Sequence, residues 1–198
     1  MSNNLGNVAK EENGFKVVFE RILNHPIDKV WDAITNPDKL KIWFTDFEMN
    51  LNEGEKIKII FRDAEKTITT GEVIRIEPLH RFTWSWEGEL ADWELQEISA
   101  DQCKLKFTYS KMEKQFAVGT AGGFHTLLER LQLHLEGNNE PYPFGTEEFD
   151  KAQIDLRETY GNEIFKIFPD LQVHNPYKLE QVYQAPIDKV WLAISDKE

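Results

Sequence analysis

The sequence predicts an α+β fold in which an antiparallel sheet folds over one long helix. Three patterns predict it. A short amphipathic helix follows the first strand, strands with alternating apolar residues fill the middle, and a leucine-rich helical pattern closes the unit near residue 135. Strands in succession with helices at the ends are typical of α+β domains, because each element must bury its apolar side against another layer.

The first two elements are a strand over residues 15–23 and a helix. Apolar residues after the strand recur at i, i+3, i+4 and i+7, which places them on one side of a helix. They are Ile27, Val30, Trp31 and Ile34. Pro26 suits the first helical position, and Asn36 ends the helix because it precedes a proline. A short second helix is predicted over Asp38–Phe44.

The middle of the chain changes to a period of two, which is typical of half-buried antiparallel strands. Strands are predicted near residues 57–61, 68–76, 82–86, 93–98 and 103–109. Gly71 lies inside the second of these strands and suggests a bulge or bend. The alternation predicts that Phe61, Trp84, Trp86, Phe107 and Tyr109 share the inner face of the sheet.

The period returns to 3.6 from about Gly119, which predicts a long helix ending at Gly137. One side carries Phe124, Leu127, Leu128, Leu131 and Leu135, and the other carries His125, Glu129, Gln132 and Glu136. The pair His125 and Glu129 is therefore predicted to face solvent. One such pair is not a metal site without further ligands.

A six-residue string, Pro26–Trp31, recurs at Pro186–Trp191 with an offset of 186 − 26 = 160 residues. The repeat predicts that a second unit of the same kind begins near the end of this chain. This fragment cannot bury a core of its own. We expect it to dock on the first unit, to stay mobile, or to pair with another chain in a homodimer, unless the natural protein continues past Glu198.

The predicted organisation has four parts. Residues 1–14 form a polar N-terminal tail, residues 15–138 the domain, residues 139–174 a connector with a helix, and residues 175–198 the truncated second copy. Thr146 is a candidate cap for the connector helix.

Composition bears on partners and location. The net charge is 23 − 35 = −12, so the surface should repel phosphate backbones, and neither nucleic-acid binding nor a membrane role is expected. The polar start carries no signal-peptide pattern, and no apolar run approaches bilayer length. The single cysteine, Cys103, lies in a strand pattern, so a buried thiol in a cytoplasmic protein is expected.

Several motifs in order carry a family resemblance. They are Val17–Leu23, Pro26, Val30-Trp31, Ala33–Pro37, Leu40, Trp43-Phe44, Gly71–Val73, Glu77-Pro78, Phe82–Trp84, Gly122–Phe124 and Leu127–Leu131. In this spacing the chain resembles the bacterial homologues of the 90-kDa heat-shock protein ATPase activator, which belong to the START-like (SRPBCC) superfamily. The resemblance covers about Phe15 to Gly137, and Phe124 stands where many relatives carry tryptophan.

The resemblance implies a helix-grip fold, in which a curved antiparallel sheet wraps around a long C-terminal helix. Relatives often hold a hydrophobic cavity between the two. The resemblance does not imply co-chaperone activity, because the eukaryotic activator also has a separate N-terminal domain that binds the chaperone.

The aromatic content, 12% of the chain, supplies candidates for lining such a cavity. They are Trp43, Phe44, Phe61, Trp84, Trp86, Phe107, Tyr109, Phe124, Leu127 and Leu131. These side chains either fill the core completely or leave a pocket for an apolar small molecule, with Tyr109 or Arg62 as a polar group at its rim.

No motif predicts catalysis, a metal site or a cofactor. The glycine-rich segment that starts at Gly119 lacks the spacing of a phosphate-binding loop. An acidic group lies around one hairpin and is expected to be a solvated turn rather than a carboxylate pair for acid–base chemistry. It consists of Glu87, Glu89, Asp92 and Glu94.

Three functions remain open. The first is non-enzymatic binding of a hydrophobic small molecule between sheet and helix. The second is an interaction module that assists a chaperone. The third is an enzyme of the cyclase or hydrolase type, which would need a polar group projecting into the cavity.

Overall fold

The computed structural model describes residues 5–12, 14–62, 65–113, 116–140, 151–152, 154–156 and 158–162. Eight strands and three helices have defined bounds within these residues, and the described residues between 151 and 162 are helical as well. The predicted α+β class is confirmed, as are the antiparallel sheet and the closing helix. The second copy of the repeated string, and with it the predicted pairing between chains, lies outside the described residues.

The strands form one antiparallel sheet in the order β1-β2-β8-β7-β6-β5-β4-β3. Their bounds are β1 Asn7–Glu11, β2 Gly14–Leu23, β3 Asp46–Glu48, β4 Lys56–Ile60, β5 Ile68–Glu77, β6 Arg81–Trp86, β7 Glu89–Ser99 and β8 Gln102–Met112. All neighbours except β2 and β8 are joined by consecutive segments of chain, so most of the sheet is a meander.

The helices are α1 Ile27–Thr35, α2 Pro37–Trp43 and α3 Ala117–Leu135. The apolar stripe of α1 packs as predicted, with Val30 and Ile34 buried and Trp31 partly buried against the core. Pro26 lies at the capping position of α1, directly before Ile27. The sequence predicted it one position later, as the first helical residue, because of its missing N–H. Asn36 ends α1 and also caps α2, because its side chain accepts a hydrogen bond from the Asp38 N–H at 2.9 Å.

Helix α3 lies against the inner face of the sheet and is fixed to α1. The ammonium group of Lys29 donates a 2.6 Å hydrogen bond to the carbonyl oxygen of Leu135, in the last turn of α3. Those last carbonyl groups have no partner within the helix and carry its partial negative charge, so a lysine is favourable there. The repeated string therefore contributes both a core stripe and a cation at the end of α3.

The predicted inner face of the sheet is confirmed. Trp84 is 2% exposed and Phe107 is fully buried, while Lys104 and Lys106 alternate with the inward residues of β8. Four aromatic side chains stand in one row across the sheet, through the register pairs Phe82–Trp93, Trp93–Phe107 and Phe107–Phe19. Cross-strand pairs of this kind stabilise a sheet, and here they form the layer beneath α3.

Part of the segment expected to be a polar N-terminal tail is a strand. Residues Asn7–Glu11 pair with β2, and Val8 is 5% exposed. The sequence pattern did not predict this strand because Val8 is the only large apolar residue among its five residues. An edge strand needs little burial of its own when a neighbouring strand supplies the hydrogen bonds.

Gly71 does not mark the bulge or bend that the sequence suggested. It is required because β5 and β6 approach each other closely at this position. The register shift in β5 lies between Val73 and Arg75, two residues further on. At Gly71 a Cβ atom would come within 1.8 Å of the carbonyl oxygen of Ser85 on β6. Only glycine allows the two backbones to approach this closely.

Candidate functional site

An apolar pocket of about 350 Å³ lies between the sheet and α3. Residues from β5, β6, β7, β8 and α3, and from the turn between β6 and β7, form its walls. They are Thr69, Trp86, Glu87, Glu89, Tyr109, Thr120, Gly123, Phe124 and Leu127. The pocket thus occupies the space between sheet and helix in which the resemblance predicts a hydrophobic cavity.

The sheet side of the pocket is aromatic. Trp86 and Tyr109 come from β6 and β8, and their rings meet edge to face with centroids 6.2 Å apart. The indole N–H of Trp86 donates a 2.9 Å hydrogen bond to the hydroxyl group of Thr69 on β5. A buried indole needs such a partner, and the bond holds the ring against the pocket.

The helix side combines one aromatic residue with small ones. Phe124 packs on Tyr109 with a centroid distance of 4.4 Å and meets Trp86 edge to face at 6.4 Å. Thr120, Gly123, Phe124 and Leu127 fall at i, i+3, i+4 and i+7, so all four lie along the same side of α3. A Cβ atom at Gly123 would meet no atom within 4 Å, so the missing side chain leaves open space.

The rim of the pocket is acidic. The hydroxyl group of Tyr109 donates a 2.6 Å hydrogen bond to Oε2 of Glu89. Burial, followed by this bond and the nearby carboxylates, raises the pKa of Tyr109 far above its ordinary value, so the hydroxyl keeps its proton. Glu87 is exposed at the edge of the pocket, in the two-residue turn between β6 and β7.

Four of the ten candidate residues line this pocket: Trp86, Tyr109, Phe124 and Leu127. The other six, Trp43, Phe44, Phe61, Trp84, Phe107 and Leu131, lie in or against the core and do not line it. Trp43 shows how these six side chains are used by the core. It is 1% exposed, its indole N–H donates to the Ala33 carbonyl oxygen at 2.9 Å, and its ring packs edge-on against Trp93.

Sequence reasoning did not identify the polar and small residues of the pocket. Thr69, Thr120 and Gly123 carry no pattern that separates them from ordinary strand or helix positions. Glu87 and Glu89 were assigned to a solvated turn, although both line the pocket. A signal existed for Glu89, since the two-residue turn pairs it with Trp86 at the end of an aromatic strand.

Arg62, one of the two polar candidates for the rim, is held elsewhere. Its guanidinium group forms hydrogen bonds of 2.8 and 3.1 Å with the carboxylate of Asp46 and donates to the carbonyl oxygen of Lys41 at 2.7 Å. These bonds join the end of β4 to α2 and β3. Of the two candidates, Tyr109 is the one that lines the pocket.

The prediction that His125 faces solvent is wrong. His125 is 6% exposed, and its Nδ1 atom lies 3.0 Å from the hydroxyl oxygen of Tyr160. Its Nε2 atom lies 3.2 Å from Oε1 of Glu129, and this bond is the largest cause that lowers the pKa of Glu129. The helix has a wide buried side, because Tyr160 and β2 cover the part of α3 that the leucine stripe leaves open.

A second concavity, of about 300 Å³, lies beside β6, β7 and β8 and carries charges of both signs. Glu77, Arg81, Glu94, Lys104 and Lys106 are among its lining residues. Several of them form ion pairs with one another or with neighbours, such as Lys106 with Glu94 at 2.8 Å and Arg81 with Asp92 at 2.6 Å. Paired surface charges of this kind are typical of the outer face of a sheet.

Within the described part of the chain, no three histidine, cysteine or acidic side chains are grouped so that they could hold a metal ion. Cys103 is buried, and burial raises the pKa of its thiol. None of the described helices combines the length and the apolar character needed to cross a membrane.

Comparison with solved structures supports the fold. A conserved protein of unknown function from Enterococcus faecalis, EF2215, superimposes with a TM-score of 0.68 at 18% identity, over 82% of this chain and 91% of that one. CalU16 from Micromonospora echinospora gives a TM-score of 0.64 at 21% identity, over 79% of this chain and 94% of its own. At these identities the likeness concerns the fold.

A third structure, DynU16, is a protein of the dynemicin biosynthetic locus. It matches with a TM-score of 0.56 at 25% identity, over 64% of this chain and 49% of DynU16. No curated protein matches the chain.

The family model described as "Activator of Hsp90 ATPase homolog 1-like protein" matches residues 24–136, which is more than half of the chain. That range contains every residue that lines the inner pocket, whereas β1 and Tyr160 lie outside it. The resemblance stated from the sequence is thereby confirmed. This chain belongs to the family of proteins like the activator of Hsp90 ATPase homolog 1.

Proposed function

We propose that this chain binds a small hydrophobic molecule in the pocket between the sheet and α3, and that it acts by binding rather than by catalysis. The pocket itself carries the proposal. About 350 Å³ of space lies among Trp86, Tyr109, Phe124 and Leu127. Sites for small molecules are concave, mostly apolar and roughly 300–1,000 Å³ in volume, so this one lies at the small end of that range.

The way in which the space is kept open supports a ligand. Where a helix packs on a sheet, side chains normally fill the space between them. At Gly123 the helix carries no side chain opposite Trp86 and Tyr109, and a side chain there would meet open space. A leucine at that position would fill part of the pocket and would also suit a helix better than glycine. Glycine at position 123 therefore lowers the stability of the helix, but it leaves space for a ligand.

The chemistry of the polar rim favours binding over catalysis. Tyr109 keeps its proton, so its hydroxyl is a hydrogen-bond donor and a poor nucleophile. Its partner Glu89 is an acceptor. The enzymatic alternative and the chaperone alternative both stay predictions, because the pocket geometry favours neither over simple binding.

The test uses two glycines of the same helix. Gly123→Leu should fill the pocket, whereas Gly119→Leu adds the same side chain one turn earlier, where a Cβ atom also meets nothing within 4 Å but no pocket is lined. The neutral dye Nile red serves as the probe, with its fluorescence emission as the readout. We expect wild type and Gly119→Leu to bind it alike, and Gly123→Leu to bind about tenfold more weakly or not at all.

Circular dichroism of both variants checks that the fold is retained. Two results would contradict the proposal. One is the absence of saturable binding by the wild-type protein, and the other is equal binding by Gly123→Leu and Gly119→Leu.

A further inference from the structure

The charges around the pocket identify the class of ligand more closely. We infer that the pocket selects an amphipathic cation, a molecule with an apolar ring system and a protonated amine at one end. This inference rests on the proposed function, since it concerns the same pocket. It follows from the lining residues, from the way Glu89 is held, and from the aromatic surface beside it.

Two carboxylates contribute all the full charges among the described residues that line the pocket. They are Glu87 and Glu89, and no lysine, arginine or histidine of the described residues lines it with them. An anionic ligand such as a fatty acid would bring its carboxylate next to these two groups. In a partly desolvated site, repulsion between like charges a few ångströms apart exceeds what it would be in water. A ligand amine would instead meet two opposite charges.

Glu89 is oriented toward the pocket and still has room for a ligand. Its Oε2 atom accepts the Tyr109 hydroxyl at 2.6 Å, which holds the carboxylate beside the aromatic wall. A carboxylate offers about four acceptor positions, so one bond leaves most of them open. An ammonium group, with up to three N–H donors, can use them.

Glu87 occupies a position that usually carries a different residue. The turn between β6 and β7 has positive φ angles at both central residues, 49° at Glu87 and 97° at Gly88. Asparagine, aspartate and glycine are the preferred residues at the first position of such a turn. The glutamate there places a longer acidic side chain at the edge of the pocket.

The aromatic wall supplies the apolar part of the site. Trp86 and Tyr109 line the pocket together with the two carboxylates. The Trp86 ring is itself stacked with Phe61 and Trp84, at centroid distances of 5.8 and 5.9 Å, which fixes its position. Ring systems of the ligand can pack against the parts of these rings that line the pocket, which suits an aromatic amine better than a simple alkyl chain.

The N-terminus of helix α3 contributes a positive field at the pocket, which opposes the binding of a cation. The helix begins at Ala117, and Thr120 in its first turn lines the pocket. A helix N-terminus carries roughly half a positive charge, and its effect falls off within the first turn. Two carboxylates together carry a larger negative charge, and the net charge of −12 adds a long-range field of the same sign. The balance at the pocket is therefore negative.

The experiment compares three probes that share one ring system: 2-naphthylmethylammonium, the neutral 2-naphthylmethanol and the anion 2-naphthoate. Their dissociation constants are measured by isothermal titration calorimetry at pH 7 and low salt. We expect the amine to bind about tenfold more tightly than the alcohol, and the carboxylate most weakly of the three. In the double variant Glu87→Gln and Glu89→Gln this order should collapse to less than about threefold between amine and alcohol.

The double variant is expected to keep its fold, because the side-chain oxygen of a glutamine at position 89 can still accept a hydrogen bond from the Tyr109 hydroxyl. Glu97→Gln is the matched control: it removes one negative charge from an exposed position of β7 that does not line the pocket. It should leave the order of the three probes unchanged.

The outcomes separate the two proposals. If all three probes bind equally, or if the carboxylate binds best, the inference about charge is overturned while the binding function stands. If none of the three binds, this inference is overturned, and the Nile red measurement decides whether the binding function stands. An amine preference that persists in the double variant would also overturn the role of Glu87 and Glu89.

Discussion

The hydroxyl oxygen of Tyr160 lies 3.0 Å from Nδ1 of His125, and this contact joins a segment beyond residue 150 to the middle of α3. The same oxygen accepts the Gly6 N–H at 2.8 Å. Since a carboxylate only accepts, the bond between His125 and Glu129 requires the proton on Nε2, and in the neutral ring Nδ1 then accepts the Tyr160 hydroxyl. One tyrosine thus connects both ends of the described chain to the helix.

We expect Tyr160→Phe to lower the free energy of unfolding by about 1–2 kcal/mol. Tyr160 is 1% exposed, so removing its hydroxyl leaves the buried His125 Nδ1 and the partly buried Gly6 N–H without that partner. Urea denaturation followed by circular dichroism measures the change. Tyr109→Phe is the matched control and should cost less, because its partner Glu89 is half-buried and can turn to water. Equal stability of Tyr160→Phe and wild type would contradict the role given to this contact.

Alkaline pH should weaken the protein through the same side chain. Burial raises the pKa of Tyr160 from its ordinary value of 10.0 to about 12. Above pH 10 the unfolded chain loses this proton while the folded chain keeps it, so stability falls as the pH rises from about 10 to 12. Below pH 10 the contribution is complete.

The measurement is urea denaturation at pH 9, 10, 11 and 12 for wild type and Tyr160→Phe. The difference in stability between the two proteins should shrink across this range. A difference that stays constant to pH 12 would show that Tyr160 titrates normally in the folded protein.

Gly71→Ala should destabilise the protein by about 3 kcal/mol or more, because the new Cβ atom would overlap the backbone of β6 at Ser85. Gly119→Ala is the opposite case. Its Cβ atom meets nothing within 4 Å inside α3, so the change should stabilise the protein by about 0.5–1 kcal/mol. Thermal unfolding of both variants measures the two changes in stability, which should have opposite signs. A Gly71→Ala protein as stable as wild type would show that β5 and β6 can separate without cost.

Trp43→Phe should cost about 2–3 kcal/mol, because it creates a cavity beside Trp93 and removes the bond to the Ala33 carbonyl oxygen. Trp31→Phe is the control, since Trp31 is only partly buried, and it should cost less than about 1.5 kcal/mol. Guanidinium denaturation of the two variants compares them. An equal loss for both would mean that the depth of burial does not decide the cost.

Helix α3 carries one side that its periodicity predicts and one buried residue that it does not. The spacing of Leu128, Leu131 and Leu135 predicted a helix with one buried side, and all three are buried. The same spacing placed His125 in solvent, because periodicity reports only the apolar stripe. A buried polar residue needs partners from elsewhere in the chain, and Tyr160, 35 residues away, supplies one of them.

The sequence by itself determined the order of the three helices and of six of the eight strands, all but β1 and β3, together with the inner face of the sheet and the family. These depend on local periodicity and on motifs read in order, and both are written in neighbouring residues. The tertiary structure alone decided that Trp43 and Phe107 close-pack while Trp86 and Tyr109 border open space. It also brought Glu87 and Glu89 to the rim of that space. The physical reason is that a void depends on how residues distant in sequence fit together, whereas the same aromatic composition is compatible with a filled core or with a pocket.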